Sequence, residues 1–424
     1  MVAKVDFAAL VCYHRREPKV QVEPYMPPFR QIEFLYAGLE RPRSLFVDGI
    51  LETLLRSRRI TLARNESEVD HHATGLSATA WRLLRRIYRN RLEPGLTTRA
   101  TRKLWLRRGW SPRGRLLRLL RRDLRRVYLE HDRPLVVDHA VLPLLIRAGG
   151  GIVYNHGELA FGIENAATAA DWVLVPTTEV ADRYVQAGCH ADRIVVTGLC
   201  IEPSLVPQAV TAFEQRISRI EEGAIVSGGV FMDETEPAHQ VRSVIEGVLS
   251  ICRTRVGRLL IFCRDGGPLS RRLQAALARY HIPCGYVDGS RGIGSEIHPV
   301  VLVQTRNRRE EAGLVARLFP EFDYIVAPPR EKLLWAAGLG VPVIWLRRGR
   351  NDVERQTEEL GKELKVARSV YAGPGRTLLG PLVTMLRESG QLNQMARAGW
   401  GKRPIDGFAK SVEFLANICE KPSL

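Results

Sequence analysis

The chain has 424 residues, of which 45% are hydrophobic, and its mean hydropathy is −0.13. These values are typical of a soluble globular protein with room for two α/β domains, and the lack of any apolar run of 18 residues excludes a membrane-spanning helix. Seven scattered cysteines without a CxxC pair suggest neither a disulfide framework nor a zinc site, and they predict reduced thiols.

The formal net charge of +17 is concentrated in one segment. Residues 81–126 contain 17 lysines and arginines but only two acids, Glu93 and Asp123, which gives a local balance of +15. The rest of the chain is therefore close to neutral. This distribution argues against a protein that coats nucleic acid along its whole surface, and it predicts one local contact with an anionic partner.

The amino-terminal half of the chain alternates short apolar runs with helical patterns. We predict strands at 5–12, 44–47, 134–138, 152–155, 172–176 and 193–198. Helices are predicted at 49–57, 113–127, 140–148 and 178–187. Strand–helix–strand units of this length are typical of a parallel, doubly wound sheet.

A linker helix at 207–222 leads into a second half with the same alternation. Strands are predicted from 224 and at 258–263, 283–287, 300–304, 324–327 and 342–346. The accompanying helices are predicted at 240–254, 270–280, 331–338, 377–389 and 392–398. We therefore expect two α/β domains, at 1–206, which includes the basic segment, and at 207–424.

The helix at 113–127 is amphipathic, with arginines on one face and aliphatic residues on the other. The basic face carries Arg115, Arg118, Arg122 and Arg125, and the apolar face carries Leu117, Leu120, Leu124 and Val127. With tryptophans nearby in the segment, this pattern is typical of a helix that binds an anionic membrane surface. Two alternatives stay open. In the first alternative, the leucines pack on the domain's own sheet and the arginines only face solvent. In the second, the arginines bind nucleic-acid phosphates, for which no accompanying motif is present.

Two glycine-containing segments follow strands in the second half. Ser227, Gly228 and Gly229 follow a strand at 224–226, and Arg264, Gly266 and Gly267 follow the strand at 258–263. Glycines allow backbone N–H groups to approach a diphosphate, and ligands of doubly wound sheets bind at the carboxyl ends of strands. We predict that these six residues bind a nucleotide; tight turns without a ligand are the alternative.

Two stretches resemble one branch of the GT-B glycosyltransferases, which makes diacylglycerol glycolipids and the peptidoglycan lipid intermediate. Residues 169–205 contain a strand, a helix closed by Gly188, a second strand and a crossover to the next domain. The run PPREKLLWAAGLGVPVI at 328–344 resembles that branch's E-x-x-x-x-G-x-P-x-I block. The resemblance covers roughly residues 134–400, and it implies two doubly wound, Rossmann-like domains that face each other across a cleft.

The resemblance also implies roles for single residues. Glu331 corresponds to the family's glutamate that binds the ribose of the donor, although it lies four residues before the matching position, which Trp335 occupies. Gln356 matches the residue that faces the donor sugar. His14 stands in for the histidine of the family's first loop, and that loop has no glycine in this chain.

Polar residues also follow the predicted strands of the first half. His156 comes directly after the strand at 152–155 and is our candidate general base, because an imidazole that titrates near neutrality suits proton removal from an acceptor hydroxyl. Glu158 is a second candidate or orients the histidine. Asp138 and His139 form a similar pair after the strand at 134–138. The alternative is that both histidines only satisfy loop backbone groups.

These observations predict a glycosyltransferase that moves a sugar from a nucleotide-sugar to a lipid-linked or membrane-associated hydroxyl. The resemblance implies an inverting, metal-independent reaction without a cofactor, and the chain contains no Asp-x-Asp motif. We expect a cytoplasmic protein that is peripheral on the inner face of the membrane. Two alternatives are a nucleotide-sugar epimerase of the same architecture and a non-catalytic scaffold.

Overall fold

The computed structural model describes most of the chain in twelve ranges. These ranges are 31–39, 41–57, 61–62, 67–90, 115–128, 133–162, 165–232, 238–288, 298–330, 332–347, 352–371 and 379–420. The predicted strand at 5–12 and the candidate site residues His14 and Glu331 lie outside them.

The first domain is built on a parallel sheet. Its strands are β1 (Gln31–Tyr36), β2 (Thr61–Leu62), β3 (Ser67–Glu68), β4 (Leu135–Val137), β5 (Ile152–Asn155), β6 (Trp172–Val175) and β7 (Ile194–Val196). They lie in the order β2-β1-β4-β5-β6-β7, with β3 also paired to β1. The chain leaves β1 on one side and returns on the other at β4, so the boundary between these two strands is the topological switch point.

Helices cover this sheet, and its central strands are buried. The helices are α1 (Arg41–Ser57), α2 (Val69–His72), α3 (Gly75–Asn90), α4 (Arg115–Tyr128), α5 (Leu142–Leu145) and α6 (Thr178–Gln186). All three residues of β4 are fully buried. Short, continuously apolar strands of this kind are expected where helices cover both faces of a parallel sheet.

The predicted strand at 44–47 is wrong, because this segment lies inside α1. Phe46, Val47, Ile50 and Leu54 are buried at steps of one, three and four residues, which is the spacing of one helix face. The apolar run at 44–47 continues with helical spacing over the next two turns of α1. The strand of this region is β1, which the sequence analysis did not predict.

The second domain contains another parallel sheet of seven strands. They are β8 (Val226–Phe231), β9 (Gly257–Arg264), β10 (Cys284–Val287), β11 (Val300–Thr305), β12 (Tyr324–Ala327), β13 (Val343–Arg347) and β14 (Ala367–Tyr371). Their order is β10-β11-β9-β8-β12-β13-β14, and every pair is parallel. The switch point lies between β8 and β12. The two sheets confirm the predicted pair of doubly wound, Rossmann-like domains.

The helices after β7 belong to the linker and to the second domain. They are α7 (Ala209–Glu221), α8 (Ala238–Thr254), α9 (Pro268–Arg279), α10 (Arg308–Leu318), α11 (Leu333–Leu339), α12 (Asp352–Glu363), α13 (Leu379–Glu388), α14 (Gln391–Gly399) and α15 (Gly407–Glu420). The helices α10, α12 and α15 were not predicted from the sequence. The linker helix α7 is held by the fully buried Arg216, whose guanidinium donates to the carbonyls of Phe322, Leu339 and Gly340.

The last helix crosses back to the first domain. A Cβ on Gly49 of α1 would lie 2.2 Å from the ring of Phe408, and the rings of Trp172 and Phe414 are 6.0 Å apart. Beside it, the backbone N–H of Leu199 donates to the carbonyl of Pro404 at 2.8 Å. The two segments that join the domains therefore lie side by side, and α15 packs on the first domain although the domain division from sequence placed it in the second.

The apolar face of α4 is used inside the first domain. Leu117, Leu120 and Leu124 are almost fully buried in the core beneath α4, whereas Arg118, Arg122 and Arg125 are exposed. These three leucines are therefore not available for insertion into a membrane, in agreement with the alternative in which they pack inside their own domain. Val127 was predicted on the same apolar face, and this placement is wrong, because its side chain is 42% exposed. Within the described ranges, no helix is both long and apolar enough to span a membrane.

Candidate functional site

The carboxyl ends of the strands in the two sheets face each other across a cleft. Arg308, in the first turn of α10 after β11, forms an ion pair with Asp48 of α1, with 2.9 Å between Nη1 and Oδ2. The other carboxylate oxygen of Asp48 accepts a hydrogen bond of 3.0 Å from the hydroxyl of Tyr36, the last residue of β1. Groups from both domains therefore meet at this point.

Asp48 is a half-buried acid with an altered proton affinity. Burial raises the pKa of its carboxyl above the ordinary value of 3.8, and the Arg308 guanidinium and the Tyr36 hydroxyl oppose this effect without cancelling it. A carboxylate whose pKa moves toward neutrality is better suited to accept a proton from a substrate than an ordinary surface acid.

A second contact between the domains lies at the crossover that follows β7. Glu202 of this crossover accepts a hydrogen bond of 2.7 Å from the indole N–H of Trp335 in α11. The ammonium of Lys332 lies 3.8 Å from the other carboxylate oxygen of Glu202. The same ammonium lies 3.5 Å from the centroid of the Trp335 ring and 4.6 Å from that of Phe231. We call Glu202, Phe231, Lys332 and Trp335 the switch-point cluster.

The switch-point cluster is named for its place in the second sheet. Phe231 is the last residue of β8, and Lys332 follows the end of β12, the strand that neighbours β8 on the other side of the switch point. Ligands of open α/β sheets bind in the crevice at the carboxyl ends of strands, where the strand order reverses. Lys332 is only 9% exposed, so its ammonium is largely shielded from solvent.

The structure places His156 directly after β5 with a buried side chain. Its ring is buried and lies against the rings of Tyr184 and Phe161, with centroids 5.3 and 6.1 Å away. Its Nε2 lies 3.2 Å from the carbonyl oxygen of Ala160. Glu158 is half-buried, and its backbone N–H donates to the carbonyl of His156. In this conformation, the histidine holds its own loop rather than presenting a nitrogen to solvent.

Asp138 lies at the switch point of the first sheet, directly after β4. Its carboxylate accepts hydrogen bonds from the backbone N–H groups of Ala37, at 2.7 Å, and Gly38, at 3.4 Å, just beyond the end of β1. The neighbouring His139 accepts from the backbone N–H of Val141 at 3.1 Å. Both side chains are buried, so this pair acts on the loop backbone, which was the alternative left open from sequence.

The segment at 227–229 is not a loop, because β8 continues to Phe231. Ser227 lies near the amino end of the strand, where its hydroxyl accepts a hydrogen bond of 2.8 Å from Arg258. A Cβ on Gly228 would lie 2.4 Å from the ring of Tyr324, and one on Gly229 would lie 3.2 Å from the ring of Phe322. The glycines therefore allow close packing inside the sheet, and the predicted loop position was wrong.

The second glycine segment does lie at the carboxyl edge. Arg264 ends β9 and is exposed, Gly266 adopts a φ of +62°, and Gly267 is the N-cap of α9. A Cβ on Gly266 would meet no atom within 4 Å, so the space above this turn is open. The backbone N–H of Asp265 donates to the carbonyl of Thr305, which ties this turn to the neighbouring strand β11.

Gln356 lies on α12, beyond the end of β13. Its side-chain oxygen is buried and has no hydrogen-bond partner among the residues that the structure describes. Groups of three or more potential metal ligands are likewise not found in the described ranges. The basic face Arg118, Arg122 and Arg125 belongs to α4 of the first domain; the side chain of Arg115 lies outside the described part.

Sequence reasoning missed the charged residues that join the two domains at the cleft. These residues are Asp48, Glu202, Arg308 and Lys332. One signal was available: Trp335 occupies the position where the family resemblance requires a glutamate, and the indole N–H of this tryptophan binds a glutamate from the crossover. The other pair, Arg308 and Asp48, is separated by 260 positions and carries no local pattern.

Comparison with known proteins supports the fold. No protein-family model matches the chain, and no curated protein matches it. The UDP-GlcNAc 2-epimerase of Neisseria meningitidis bound to UDP-GlcNAc is similar in structure, with a TM-score of 0.53 and 13% identity over 91% of this chain and 100% of that one. The structure of S. aureus MnaA with UDP is also similar, with a TM-score of 0.51 and 11% identity over 92% of this chain and 98% of that one.

A third solved structure is similar as well. MurG of Acinetobacter baumannii gives a TM-score of 0.50 with 11% identity, over 92% of this chain and 100% of that one. At identities this low, the likeness shows the fold alone. Together with the two doubly wound sheets, it shows that this chain has a two-domain GT-B fold.

Proposed function

We propose that this chain is an enzyme that binds a nucleotide-sugar in the cleft and transfers the sugar to a hydroxyl acceptor. The observation that carries the proposal is the meeting of charged groups from both domains where the carboxyl edges of the two sheets face each other. Arg308 pairs with Asp48, and Lys332 pairs with Glu202. Structural neighbours with this fold are described as bound to UDP or UDP-GlcNAc, which supports a nucleotide-sugar ligand.

In this proposal, the nucleotide lies on the second domain. The turn at Gly266 and Gly267 is open, and it precedes a twelve-residue helix whose first N–H groups have no side-chain cap. Gln356 supplies a buried oxygen that can accept a hydrogen bond from a sugar hydroxyl. Glu331 remains our candidate for the ribose hydroxyls, from the family resemblance. No metal or cofactor is part of the proposal.

The acceptor side of the proposed reaction depends on Asp48 rather than on His156. Transfer requires a base that removes a proton from the acceptor hydroxyl as the anomeric carbon is attacked. Asp48 is half-exposed at the cleft and burial raises the pKa of its carboxyl, whereas the ring of His156 is enclosed by aromatic side chains. The Tyr36 hydroxyl and the Arg308 guanidinium would hold the Asp48 carboxylate in position.

The exposed arginine face of α4 is the proposed contact with an anionic membrane, where a lipid-linked acceptor would lie. Arg118, Arg122 and Arg125 are exposed on a helix that is anchored in the domain core by Leu117, Leu120 and Leu124. The contact is therefore electrostatic, and it requires no insertion of the helix. This surface also supports the inner face of the cytoplasmic membrane as the proposed location.

A nucleotide-sugar epimerase is the second candidate. It acts on the donor alone and needs acid and base groups at the cleft, and the carboxylates of Asp48 and Glu202 both lie there. Neighbours described as UDP-GlcNAc 2-epimerases share the fold. The arginine face of α4 has no role in this candidate function, which is the observation that favours transfer.

Two measurements test the proposal. Thermal unfolding is measured against a panel of nucleoside diphosphates and nucleotide-sugars. It identifies the nucleobase of the ligand, because a ligand that binds only the folded state raises the Tm. NMR spectra of the bound sugar nucleotide are then recorded with and without anionic vesicles that carry lipid acceptors. Release of the nucleoside diphosphate only with acceptor supports transfer, whereas a new sugar isomer without acceptor supports epimerisation. A Tm shift without turnover in either mixture leaves the scaffold alternative.

A further inference from the structure

The switch-point cluster contains a cation that is poorly neutralised by the protein. Among the residues that the structure describes, the one carboxylate within ion-pair distance of the Lys332 ammonium is that of Glu202, at 3.8 Å, which is beyond hydrogen-bond distance. The rest of its described environment is two aromatic faces, those of Trp335 and Phe231. Aromatic faces attract an ammonium, but they offer no acceptor oxygen for its three N–H donors.

Other basic side chains at the same edge of the second sheet have closer carboxylates. Arg306 lies 3.1 Å from Glu310, Arg308 lies 2.9 Å from Asp48, and Arg330 lies 3.4 Å from Glu354. Each of these contacts is shorter than that of Lys332. The contrast singles out Lys332, because burying an ammonium without good acceptors is costly unless a ligand supplies them.

The position of Lys332 indicates which ligand group would reach it. Its ammonium lies over the end of β8 and beside the end of β12, at the switch point where a nucleotide's phosphates approach a doubly wound sheet. A diphosphate brings several anionic oxygens, and lysine is a common partner for phosphate because it acts as a compact point charge.

We infer that the Lys332 ammonium binds the diphosphate of a nucleotide ligand, and that the Glu202 carboxylate is the partner of this ammonium when the ligand is absent. This inference rests on the proposed function, since it names the residue that holds the ligand's phosphates. Glu202 belongs to the crossover between the domains and also accepts the indole N–H of Trp335. Ligand binding therefore releases one of the two contacts that Glu202 makes with the second domain and loosens the crossover.

The test uses isothermal titration of the full chain with inorganic pyrophosphate, four nucleoside diphosphates (UDP, GDP, ADP and TDP) and the matching nucleosides. Lys332→Met keeps the apolar packing against the two rings but removes the charge. We expect it to weaken pyrophosphate and nucleoside diphosphate binding about tenfold or more, as for loss of a charged hydrogen bond, and to leave nucleoside binding unchanged. Lys332→Arg should retain most of the affinity.

Glu202→Gln has an expected effect of the opposite sign. The amide oxygen still accepts from Trp335, but the ammonium is no longer shared with a carboxylate, so diphosphate binding should tighten about two- to fivefold. Lys362→Met is the matched control, because Lys362 lies in the same domain, is half-exposed and pairs with Glu358 at 2.8 Å on α12. It should change no binding constant.

The possible failures are distinguishable. If the unmodified chain binds a nucleoside diphosphate and Lys332→Met binds it equally well, the inference is overturned while the proposed function stands. Weaker binding in both Glu202→Gln and Lys332→Met would identify the pair as a structural tie and also overturn it. If the unmodified chain binds neither pyrophosphate nor any nucleoside diphosphate, the inference and the proposed function fail together. Unfolding curves of each variant confirm that the compared proteins are folded.

Discussion

Trp335 donates its indole N–H to Glu202 at 2.7 Å and thereby fastens the second domain to the crossover that leaves the first. The tryptophan is almost fully buried, and its ring also carries the ammonium of Lys332. One side chain therefore connects the core of α11, the crossover and the candidate phosphate site. This arrangement explains how a GT-B fold can hold a tryptophan where the resembling family has a glutamate.

Replacing this indole tests how much its hydrogen bond to Glu202 contributes to stability. Trp335→Phe keeps an aromatic ring but removes the N–H, and we expect the free energy of unfolding to fall by the cost of the smaller ring plus about 1 kcal/mol for the lost hydrogen bond. Trp345→Phe is the matched control, because Trp345 is fully buried and its N–H has no partner among the described residues.

Urea unfolding of both variants measures the difference. The prediction requires Trp335→Phe to be the less stable protein by about 1 kcal/mol or more, since only this variant loses a hydrogen bond. Equal destabilisation of the two variants would contradict it, and would mean that the bond between Trp335 and Glu202 contributes nothing measurable to stability.

Gly228 gives a prediction about packing inside the second sheet. A Cβ at this position would lie 2.4 Å from the ring of the buried Tyr324, which cannot move without displacing β12. We expect Gly228→Ala to lower the free energy of unfolding by about 1–3 kcal/mol, as for other overpacked cores. Chemical denaturation of Gly228→Ala and of the unmodified chain measures the difference in the free energy of unfolding. An unchanged value would contradict the prediction and would show that the Tyr324 ring can move to accept the added methyl group.

Gly313→Ala is the control for that experiment. Gly313 lies in the interior of α10, is exposed, and a Cβ there would meet no atom within 4 Å. Because alanine favours the helix over glycine, we expect the free energy of unfolding to rise by about 0.5–1 kcal/mol. The two glycine substitutions should therefore change stability in opposite directions.

Asp48 predicts a pH dependence whose sign follows from its environment. Burial raises the pKa of its carboxyl in the folded chain above 3.8, so the folded state binds more protons than the unfolded state over the interval between the two pKa values. The contribution of Asp48 to stability is therefore complete below pH 3.8 and decreases as the pH rises through the raised value. The free energy of unfolding of Asp48→Asn should lack this decrease.

Denaturation of both proteins across pH 3.5 to 7 checks the sign, where the limits lie roughly around the titration range of a carboxyl with a raised pKa. The stability of the unmodified chain relative to Asp48→Asn should fall with rising pH. A relative stability that rises with pH would show that the ion pair with Arg308 outweighs desolvation. If Asp48 is also the base of the proposed transfer, the same variant should lose turnover while it keeps the affinity for the nucleotide.

Elements with a complete local signal were predictable from the sequence. The strand β6, the helix α6 and the strand β7 were predicted to within two residues, because each carries an apolar run or a capped helical pattern. Thr177 caps α6 by accepting from the backbone N–H of Val180, and Gly188 ends the unit with a φ of +96°. Here sequence, local structure and packing agree.

Elements with a weak apolar pattern were missed. The helix α12 reads DVERQTEELGKE, which has too few apolar residues to define a face, and β14 contains an arginine and a serine within five residues. The candidate site was harder still, because Asp48 and Arg308 become neighbours only when two domains close on each other. Neither residue has a partner nearby in sequence that would mark it as functional.

The arginine face of α4 leads to the last prediction. Arg118, Arg122 and Arg125 are exposed on a helix whose other face is fixed in the core, so charge reversal at these positions should not disturb folding. Each basic residue near an anionic membrane contributes about 1 kcal/mol of binding free energy. The triple change to glutamate should therefore weaken binding to vesicles of phosphatidylglycerol and phosphatidylcholine about 100-fold or more, at unchanged Tm.

Three comparisons make this prediction specific. The triple change to lysine keeps the charge and should retain vesicle binding, whereas neutral phosphatidylcholine vesicles should bind none of the proteins. Raising the salt concentration should weaken the binding of the unmodified chain, since the contact involves exposed charges. Binding to duplex DNA that is stronger than binding to anionic vesicles at the same salt concentration would contradict a membrane as the partner of this face. It would instead favour the nucleic-acid alternative that the sequence left open.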